Sequence, residues 1–311
     1  MDAPPGVTWA PLISRSYTVD NVSPETYVCR RVKISQDMWI SGFRSELPEG
    51  TLRAFVSIDT SGATQTGNIT PCDGTVGIGA PGVNRAQLLF ADTHGPNQYN
   101  DILFPAGDAV HIPANSYIVL NADVYEPVDG TPYSGTLNIY ATTVPPGEVQ
   151  HELQAMFGGT NSIDIKSDGT MQTVTGGCSG PRSQDYHVLA VWPHMHMLGK
   201  HSHLTITRNN VTDVVEDQPF TFTNQAIDMV NERTLGTQDQ LNFTCSYVVP
   251  SMTCQYNGSK YCGTVGTCQP DNLCHVGQSD SLGGEACFAA LYVWPPPNNA
   301  FGCFSGVQPP I

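Results

Sequence analysis

The sequence predicts an all-β fold built from two tandem jelly-roll-like antiparallel β-sandwich domains. Glycine and proline are abundant, at 30 and 24 residues. They combine with Asn and Asp to interrupt short apolar runs at roughly the 8–12-residue spacing that is typical of sandwiches. Apolar residues at helical spacing are rare. Together these observations favour strands joined by turns over helical or mixed folds.

Taken in chain order, the strand-like segments fall into two groups. Those of the first half are Tyr27–Ile34, Met38–Arg44, Leu52–Ile58, Gln87–Phe90, Ser116–Ala122 and Gly135–Ala141. Those of the second half are Ser162–Ile165, Tyr186–His196, Ser202–Thr207, Leu241–Val249 and Ala286–Trp294. Between the groups, TVPPGEVQ (143–150) is typical of a domain joint. HELQAMFGG (151–159), which follows, is interpreted as containing one helical turn. We therefore predict domains at 1–146 and 147–311, each of ordinary size.

Composition limits the possible partners. The net charge is −15 with only 13 Lys and Arg, which argues against binding to nucleic acid or acidic membranes and favours binding of cations. No apolar run approaches the roughly 20 residues that a membrane-spanning helix needs. We expect a monomer.

The ten cysteines point to an oxidising compartment and up to five disulfides, and so to a secreted, extracellular or periplasmic protein. Four of them lie in a cysteine-rich insertion at about 254–275. Disulfide staples explain this block better than zinc does, because it has no Cys-x-x-Cys pair.

Four of the nine histidines lie in VWPHMHMLGKHSHL (191–204). Side chains at i and i+2 of a strand share a face, so His194 and His196 are expected to point the same way, with the methionines beside them on the other side. Imidazole nitrogen suits copper and zinc. His201 and His203 repeat the pattern after a turn at LGK. An exposed histidine-rich hairpin that binds metal adventitiously is the alternative.

The segment YHVLAVWPHMHMLGK (186–200) resembles the copper-ligand strand of the type II, ascorbate-dependent copper monooxygenases. ETYVCRRVKI (25–34) is similar to the opening strand of that family. FPAGDAVHIPANSYIVLNADVY (104–125) resembles a stretch that ends in a copper-binding His-Tyr. HVGQSDSLGGEACFAALYVWPP (275–296) resembles the region of the Glu-Met-Cys motif. The resemblance implies two sandwiches facing across a cleft, one copper site in each, and disulfides Cys245–Cys287 and Cys178–Cys303.

The chain departs from the family at the first copper site. Arg53 and Ala54 stand where the resemblance implies a His-His pair, and Asp123 stands where it implies the third histidine. These residues cannot replace three imidazoles, so we expect the first site to be missing. An Arg53–Asp123 ion pair is expected in its place. The remaining histidines of this half, His94 and His111, are interpreted as surface residues in loops.

The second site is kept in part. His194 and His196 match its two histidines, but Ala286 replaces the methionine that the resemblance implies as third ligand. His275 is the preferred replacement, with water completing the coordination sphere. Met252 is the alternative, although it is more simply a buried apolar residue. His187 faces the other side of the strand and is interpreted as a hydrogen-bonded core residue.

The same comparison bears on substrate. Trp192 stands where peptide-processing members carry a carboxylate-binding arginine, which argues against a peptidylglycine substrate. Trp192 is expected instead to form an apolar wall beside the metal.

Two functions remain open from sequence. The first is a secreted protein with one copper per chain that oxidises or hydroxylates an unidentified substrate with O2 or peroxide, and takes electrons from an external reductant. The second is a non-catalytic copper-binding or recognition scaffold. A zinc hydrolase would need a general base, for which Asp185 and Glu285 are the candidates.

Overall fold

The fold is described from a computed structural model of the 311-residue chain. The structure describes residues 6–20, 25–59, 61–72, 87–94, 99–126, 130–254, 262, 266–279, 284–298 and 302–305. Within these ranges the chain forms 23 β-strands and one 3-10 turn, Pro146–Glu148. The all-β fold class is therefore confirmed.

The strands of the first half are β1 (Ala10–Val19), β2 (Glu25–Lys33), β3 (Met38–Glu46), β4 (Thr51–Ile58), β5 (Gly67–Ile69), β6 (Gln87–His94), β7 (Tyr99–Leu103), β8 (Asp108–Ile112), β9 (Tyr117–Tyr125) and β10 (Tyr133–Thr143). Those of the second half are β11 (His151–Thr160), β12 (Asp164–Lys166), β13 (Met171–Cys178), β14 (Tyr186–His194), β15 (Gly199–Arg208), β16 (Val211–Pro219), β17 (Asn224–Gln225), β18 (Asp228–Leu235), β19 (Gln240–Val248), β20 (Thr267–Cys268), β21 (Cys274–Gly277), β22 (Cys287–Trp294) and β23 (Cys303–Ser305).

Each half of the chain forms two facing sheets. In the first half, strands β1-β10-β3-β8 form one sheet, and β6-β4-β9-β2-β5 form the other. In the second half, β11-β22-β14-β18 face β13-β19-β15-β16, and a small sheet, β12-β21-β20, lies beside them. Side chains that alternate inward form two large apolar cores: one consists of second-half residues, and the other consists of first-half residues together with Leu153, Leu189, Ala190 and Tyr292 of the second half.

The two sandwiches are joined by backbone hydrogen bonds at two places. Strand β11 continues the first sheet because it pairs in parallel with β8, with Leu153 opposite Val110, so one sheet of ten strands runs through both halves. Strand β17 of the second half pairs with β6 of the first, with Gln225 opposite Thr93. The second sandwich is therefore braced by the first.

A third apolar cluster, which we call the seam, packs the two sandwiches together. It consists of buried residues from both halves: Phe55, Leu88, Ala91, Ala155, Phe157, Trp192 and Ala290. The family resemblance implies a cleft between the two sandwiches, and this cluster fills part of their boundary with large side chains. Burying these side chains removes their apolar surface from water, which stabilises the fold by about 25 cal/mol per Å² of buried apolar surface.

All ten cysteines are paired. Cys245–Cys287 and Cys178–Cys303 form as the resemblance implies. Cys254–Cys268 and Cys262–Cys274 staple the cysteine-rich insertion, which confirms the staple interpretation. The fifth bridge joins Cys29 to Cys72 in the first sandwich. Five disulfides in one chain indicate an oxidising compartment.

Two local predictions from sequence are wrong. HELQAMFGG does not contain a helical turn, because the whole segment lies in β11 between β22 and β8. His111 lies in β8 and not in a loop, with its ring stacked 4.2 Å from that of Trp39. His94 is the last residue of β6, so it also lies in a strand and not in a loop. Every segment predicted as a strand overlaps a strand of the structure.

The described ranges contain no helix with the length and apolarity that crossing a membrane requires.

Candidate metal site

The two histidines of the His-x-His motif lie together at the end of β14. The strand ends at His194, and the chain turns after His196. Both side chains are buried, with 1% and 4% of their surface exposed, and their ring centroids are 5.3 Å apart. Met195 packs into the second core, whereas Met197 is exposed. The prediction that the two imidazoles share a side is confirmed.

Hydrogen bonding fixes the tautomer of His194. Its Nδ1 lies 2.8 Å from Oε1 of Gln225. The amide of Gln225 is oriented by its Nε2, which donates to the carbonyl of Phe222 at 2.9 Å. Nδ1 therefore carries the proton, and Nε2 is left with a lone pair. That Nε2 is buried, and no residue in the described part of the chain offers it a hydrogen bond.

His196 is held in the same manner by a backbone carbonyl. Its Nδ1 donates to the oxygen of Gly284 at 3.0 Å, which makes Nε2 the lone-pair nitrogen. A Cβ at position 284 would lie 2.4 Å from Cβ of Ser279, so only glycine fits this close approach. A histidine whose second nitrogen is fixed by a carbonyl oxygen is the arrangement that orients imidazoles in metal sites.

The turn after His196 is anchored by Glu285. The carboxylate accepts the backbone N–H of His196 at 2.9 Å and that of Leu198 at 2.7 Å. Glu285 is 1% exposed, and burial raises the pKa of its carboxyl to about 7, against the lowering effect of these hydrogen bonds. Glu285 therefore acts as a positioning residue for the histidine pair.

We expect Glu285→Gln to destabilise the fold by about 1–3 kcal/mol at pH 8, because the amide can accept only one of the two buried N–H groups. Urea denaturation measures the loss. Glu232→Gln is the matched control, since Glu232 pairs with His187 at the surface and exposed pairs contribute about 0–1 kcal/mol. Equal losses in the two variants would contradict the anchoring role.

Aromatic rings surround the pair. The Trp192 ring stacks on His194 at 4.9 Å between centroids, and Phe288 lies at 4.8 Å. Phe55 of the first sandwich is 6.4 Å from His194, and Phe222 is 6.5 Å from His196. Trp192 thus forms the apolar wall that the sequence predicts.

The electrostatic environment keeps His194 neutral. Burial lowers the pKa of the imidazole well below its usual value, and the neighbouring His196 and the positive charge of Arg53 lower it further. Neutral imidazole is the form that binds metal ions.

The first-domain positions that depart from the family pattern lie near this site. Arg53 is directly opposite Asp123 in the β4–β9 ladder, and it donates to the hydroxyl of Tyr27 at 2.8 Å. Burial raises the pKa of the Asp123 carboxyl to about 7, although the charge of Arg53 opposes the rise. Oδ1 of Asp123 is buried and has no hydrogen-bond partner within the ranges that the structure describes.

The structure does not bring His275 to the pair. His275 lies in β21, where its Nδ1 contacts Asp164 at 2.6 Å and its Nε2 contacts Asp271 at 3.0 Å. Both ring nitrogens are occupied by carboxylates, so the preference for His275 as third ligand is corrected.

In the described part of the chain, the one group of three His, Cys, Asp or Glu residues with ligand atoms all within 4.8 Å of one another is Cys254, Cys262 and Cys274. These sulfurs are in disulfides and are not thiolate ligands.

The other candidates also lie elsewhere. Met252 is 37% exposed, not buried, and its backbone is bonded to Ser167. The ring of His187 stacks on Trp294 at 3.8 Å and is half-buried, so it is not a core residue. Asp185 accepts the N–H of Thr237. The Glu285 carboxylate is bonded to two backbone N–H groups.

Sequence reasoning did not single out Gln225 or Phe55, which complete the site. Gln225 lies 31 residues from His194 and reaches it because β17 pairs with the first sandwich. No local pattern signals such a long-range contact. Phe55 shows one signal, a large apolar residue between the core-facing residues Ala54 and Val56.

Comparison with known proteins does not indicate a function for this chain. No family model matches the chain, and no curated protein matches it. Among solved structures, the major capsid protein P2 from bacteriophage PM2 aligns with 76% of this chain and 97% of its own, at 8% identity and a TM-score of 0.30. Dimeric latent PorU from Porphyromonas gingivalis aligns with 88% of this chain and 25% of its own, at 10% identity and a TM-score of 0.20. The structure of the infectious bursal disease virus Gx strain aligns with 97% of this chain and 77% of its own, at 9% identity and a TM-score of 0.21. These TM-scores are too low to support a functional argument.

Proposed function

We propose that this protein binds one copper ion per chain between His194 and His196, in a secreted or periplasmic setting. The observation that carries the proposal is the Nε2 of His194, which is buried, bears a lone pair and has no hydrogen-bond partner among the described residues. A buried acceptor without a partner costs about 1–3 kcal/mol, and a metal ion at that position would offset the cost.

Cu(I) suits this site better than a divalent ion does. Both donors are neutral imidazoles, and the surroundings are the aromatic rings of Trp192, Phe288 and Phe55. Transferring a charge from water into such an environment is costly. The free-energy cost rises steeply with the charge of the ion, so a monovalent ion is favoured. Among the described residues no carboxylate or thiolate joins the two imidazoles in a group of three ligands, since Glu285 is engaged by backbone N–H groups, and this also disfavours zinc.

The residues of this chain would hold the ion by fixing both rings. Gln225 and the carbonyl of Gly284 hold the protons on Nδ1, Glu285 holds the turn, and the seam excludes water. A bound copper ion would supply one-electron redox chemistry at this position. Because the two histidines are 1% and 4% exposed, they present almost no surface to an extended substrate. The geometry therefore favours copper retention over the hydroxylation that the family resemblance implies.

The test is anaerobic Cu(I) titration against a chromophoric chelator. The parent protein is expected to hold one equivalent. His194→Ala and His196→Ala should each weaken binding by more than about tenfold, since loss of supporting contacts alone costs about 10–100-fold. His187→Ala is the matched control and should retain binding, because His187 lies on the same strand outside the site.

Three outcomes would contradict parts of the proposal. Equal binding by the parent and the His194→Ala/His196→Ala double variant would refute the site. Two equivalents in the parent, both lost with these variants, would refute the single-copper assignment. Sustained O2-dependent consumption of ascorbate, above that of free copper and lost in the variants, would establish the catalytic function instead of retention.

A further inference from the structure

Two histidines and one aspartate lie together on the outer face of the sheet β13-β19-β15-β16. His201 and His203 alternate along β15, and Ser202 between them is fully buried and points inward. Asp217 is directly opposite His203 on β16. Because side chains two apart on one strand and directly opposite on the next share a face, the three project to the same side.

The two imidazoles contact the same carboxylate oxygen, but the donor atoms of the three side chains are not all within 4.8 Å of one another, so a shared ion requires the rings to rotate. Nε2 of His201 lies 3.2 Å from Oδ1 of Asp217, and Nδ1 of His203 lies 3.1 Å from the same oxygen. The three side chains are 37%, 36% and 53% exposed. Strand β15 is hydrogen-bonded to β16 and to β19, so the backbone positions of the group are fixed while the side chains can move.

We propose that His201, His203 and Asp217 form a second, solvent-exposed site that binds a borderline divalent transition-metal ion, with Zn²⁺ as the reference ligand. Two imidazoles and one carboxylate are a donor set used by such ions, with water filling the remaining positions. Exposed side chains change rotamer on the picosecond-to-nanosecond timescale, so both rings can turn from the Asp217 oxygen onto a shared ion.

The charge of the chain and the exposure of the group support this assignment. The net charge of −15 attracts cations to the surface. An exposed ion keeps part of its hydration shell, and one carboxylate offsets half of its charge. The site therefore differs in chemistry from the buried, neutral His194–His196 pair, and the two are independent.

The competing explanation is a pair of surface His–Asp contacts, which contribute about 0–1 kcal/mol and bind nothing. Metal binding differs from these contacts because it requires neutral imidazoles and releases protons. Isothermal titration with Zn²⁺ in two buffers of different ionisation enthalpy counts those protons.

The experiment uses the disulfide-intact protein carrying His194→Ala and His196→Ala, so that the buried pair cannot contribute. One equivalent of Zn²⁺ is expected. His201→Ala, His203→Ala and Asp217→Asn should each weaken it by more than about tenfold. Cu²⁺ should bind more tightly than Zn²⁺, following the Irving–Williams order, and Mg²⁺ should not compete. His187→Ala is the control, since His187 also contacts a surface carboxylate, Glu232, at 2.8 Å.

If the double-alanine background does not fold, nuclear magnetic resonance of the parent protein replaces it. Substoichiometric Cu²⁺ should broaden the ring signals of His201 and His203 before those of His187. Zinc affinity unchanged in His201→Ala and His203→Ala, or an equal loss in His187→Ala, would overturn the proposal. Neither result depends on whether the buried pair binds Cu(I).

Discussion

Trp192→Ala is expected to lower the free energy of unfolding by about 3–5 kcal/mol, the range for removing a large buried aromatic side chain. Trp192 is fully buried in the seam, and its ring meets Phe55 of the first sandwich edge-to-face at 5.5 Å. Its Nε1 donates to the carbonyl of Gln225 at 2.8 Å, so truncation also leaves that carbonyl without its partner. The variant removes a contact shared by both halves of the chain.

Urea denaturation followed by circular dichroism measures this loss. Trp192→Phe is the matched variant, because it keeps an aromatic ring in the seam while it removes the N–H together with part of the indole. We expect it to cost about 1–3 kcal/mol, the range for an unsatisfied buried carbonyl. A loss below about 1 kcal/mol in Trp192→Ala would show that the seam contributes little to stability.

The second large effect is a fall in stability as pH rises. Burial raises the pKa of the Asp123 carboxyl from 3.8 to about 7 in the folded chain. The folded state therefore retains a proton that the unfolded state releases. The stabilising contribution of this proton is fully present below pH 4, falls as pH rises from there, and is lost above pH 7. The shift corresponds to on the order of 4 kcal/mol.

Denaturation of the copper-free protein at pH 5 and pH 8.5 tests this expectation. The parent should be less stable at pH 8.5, and Asp123→Asn should remove most of the difference that arises from this group. Asp168→Asn is the control: hydrogen bonds from Thr170 lower the pKa of the Asp168 carboxyl, so its contribution is complete before pH 5. A parent whose stability rises between the two pH values, with no change in Asp123→Asn, would contradict the assignment.

The sequence predicted those parts of the site that depend on local geometry. The two-residue period of a strand predicts that His194 and His196 lie on one side, and the structure brings their rings together although β14 ends at His194. The same period predicts that His201 and His203 share a face of β15. The pairing of two disulfides of the second sandwich could be predicted only from the family resemblance. The predicted ion pair of Arg53 and Asp123 agrees with their opposite positions in the β4–β9 ladder. The sequence did not predict that burial dominates the pKa of the Asp123 carboxyl.

The parts that escaped prediction depend on contacts between distant segments. Strand β11 is covered on both faces over Ala155–Thr160, so its sequence lacks the alternation that identifies a half-buried strand. Gln225 becomes part of the site only because β17 pairs with a strand more than a hundred residues earlier. His275 was assigned to the site by its position in the chain, whereas Asp164 and Asp271 hold it elsewhere.

The parallel ladder between β8 and β11 has a consequence for how this molecule opens. Residues Asp108–Val110 and His151–Leu153 share backbone hydrogen bonds, and Ala109, Val110 and Leu153 are completely shielded from solvent. A hinge at this joint would have to break the ladder and expose these residues together. Amide deuteration at the joint should consequently be among the slowest in the chain and should proceed only through global unfolding, so the two halves behave as one cooperative unit.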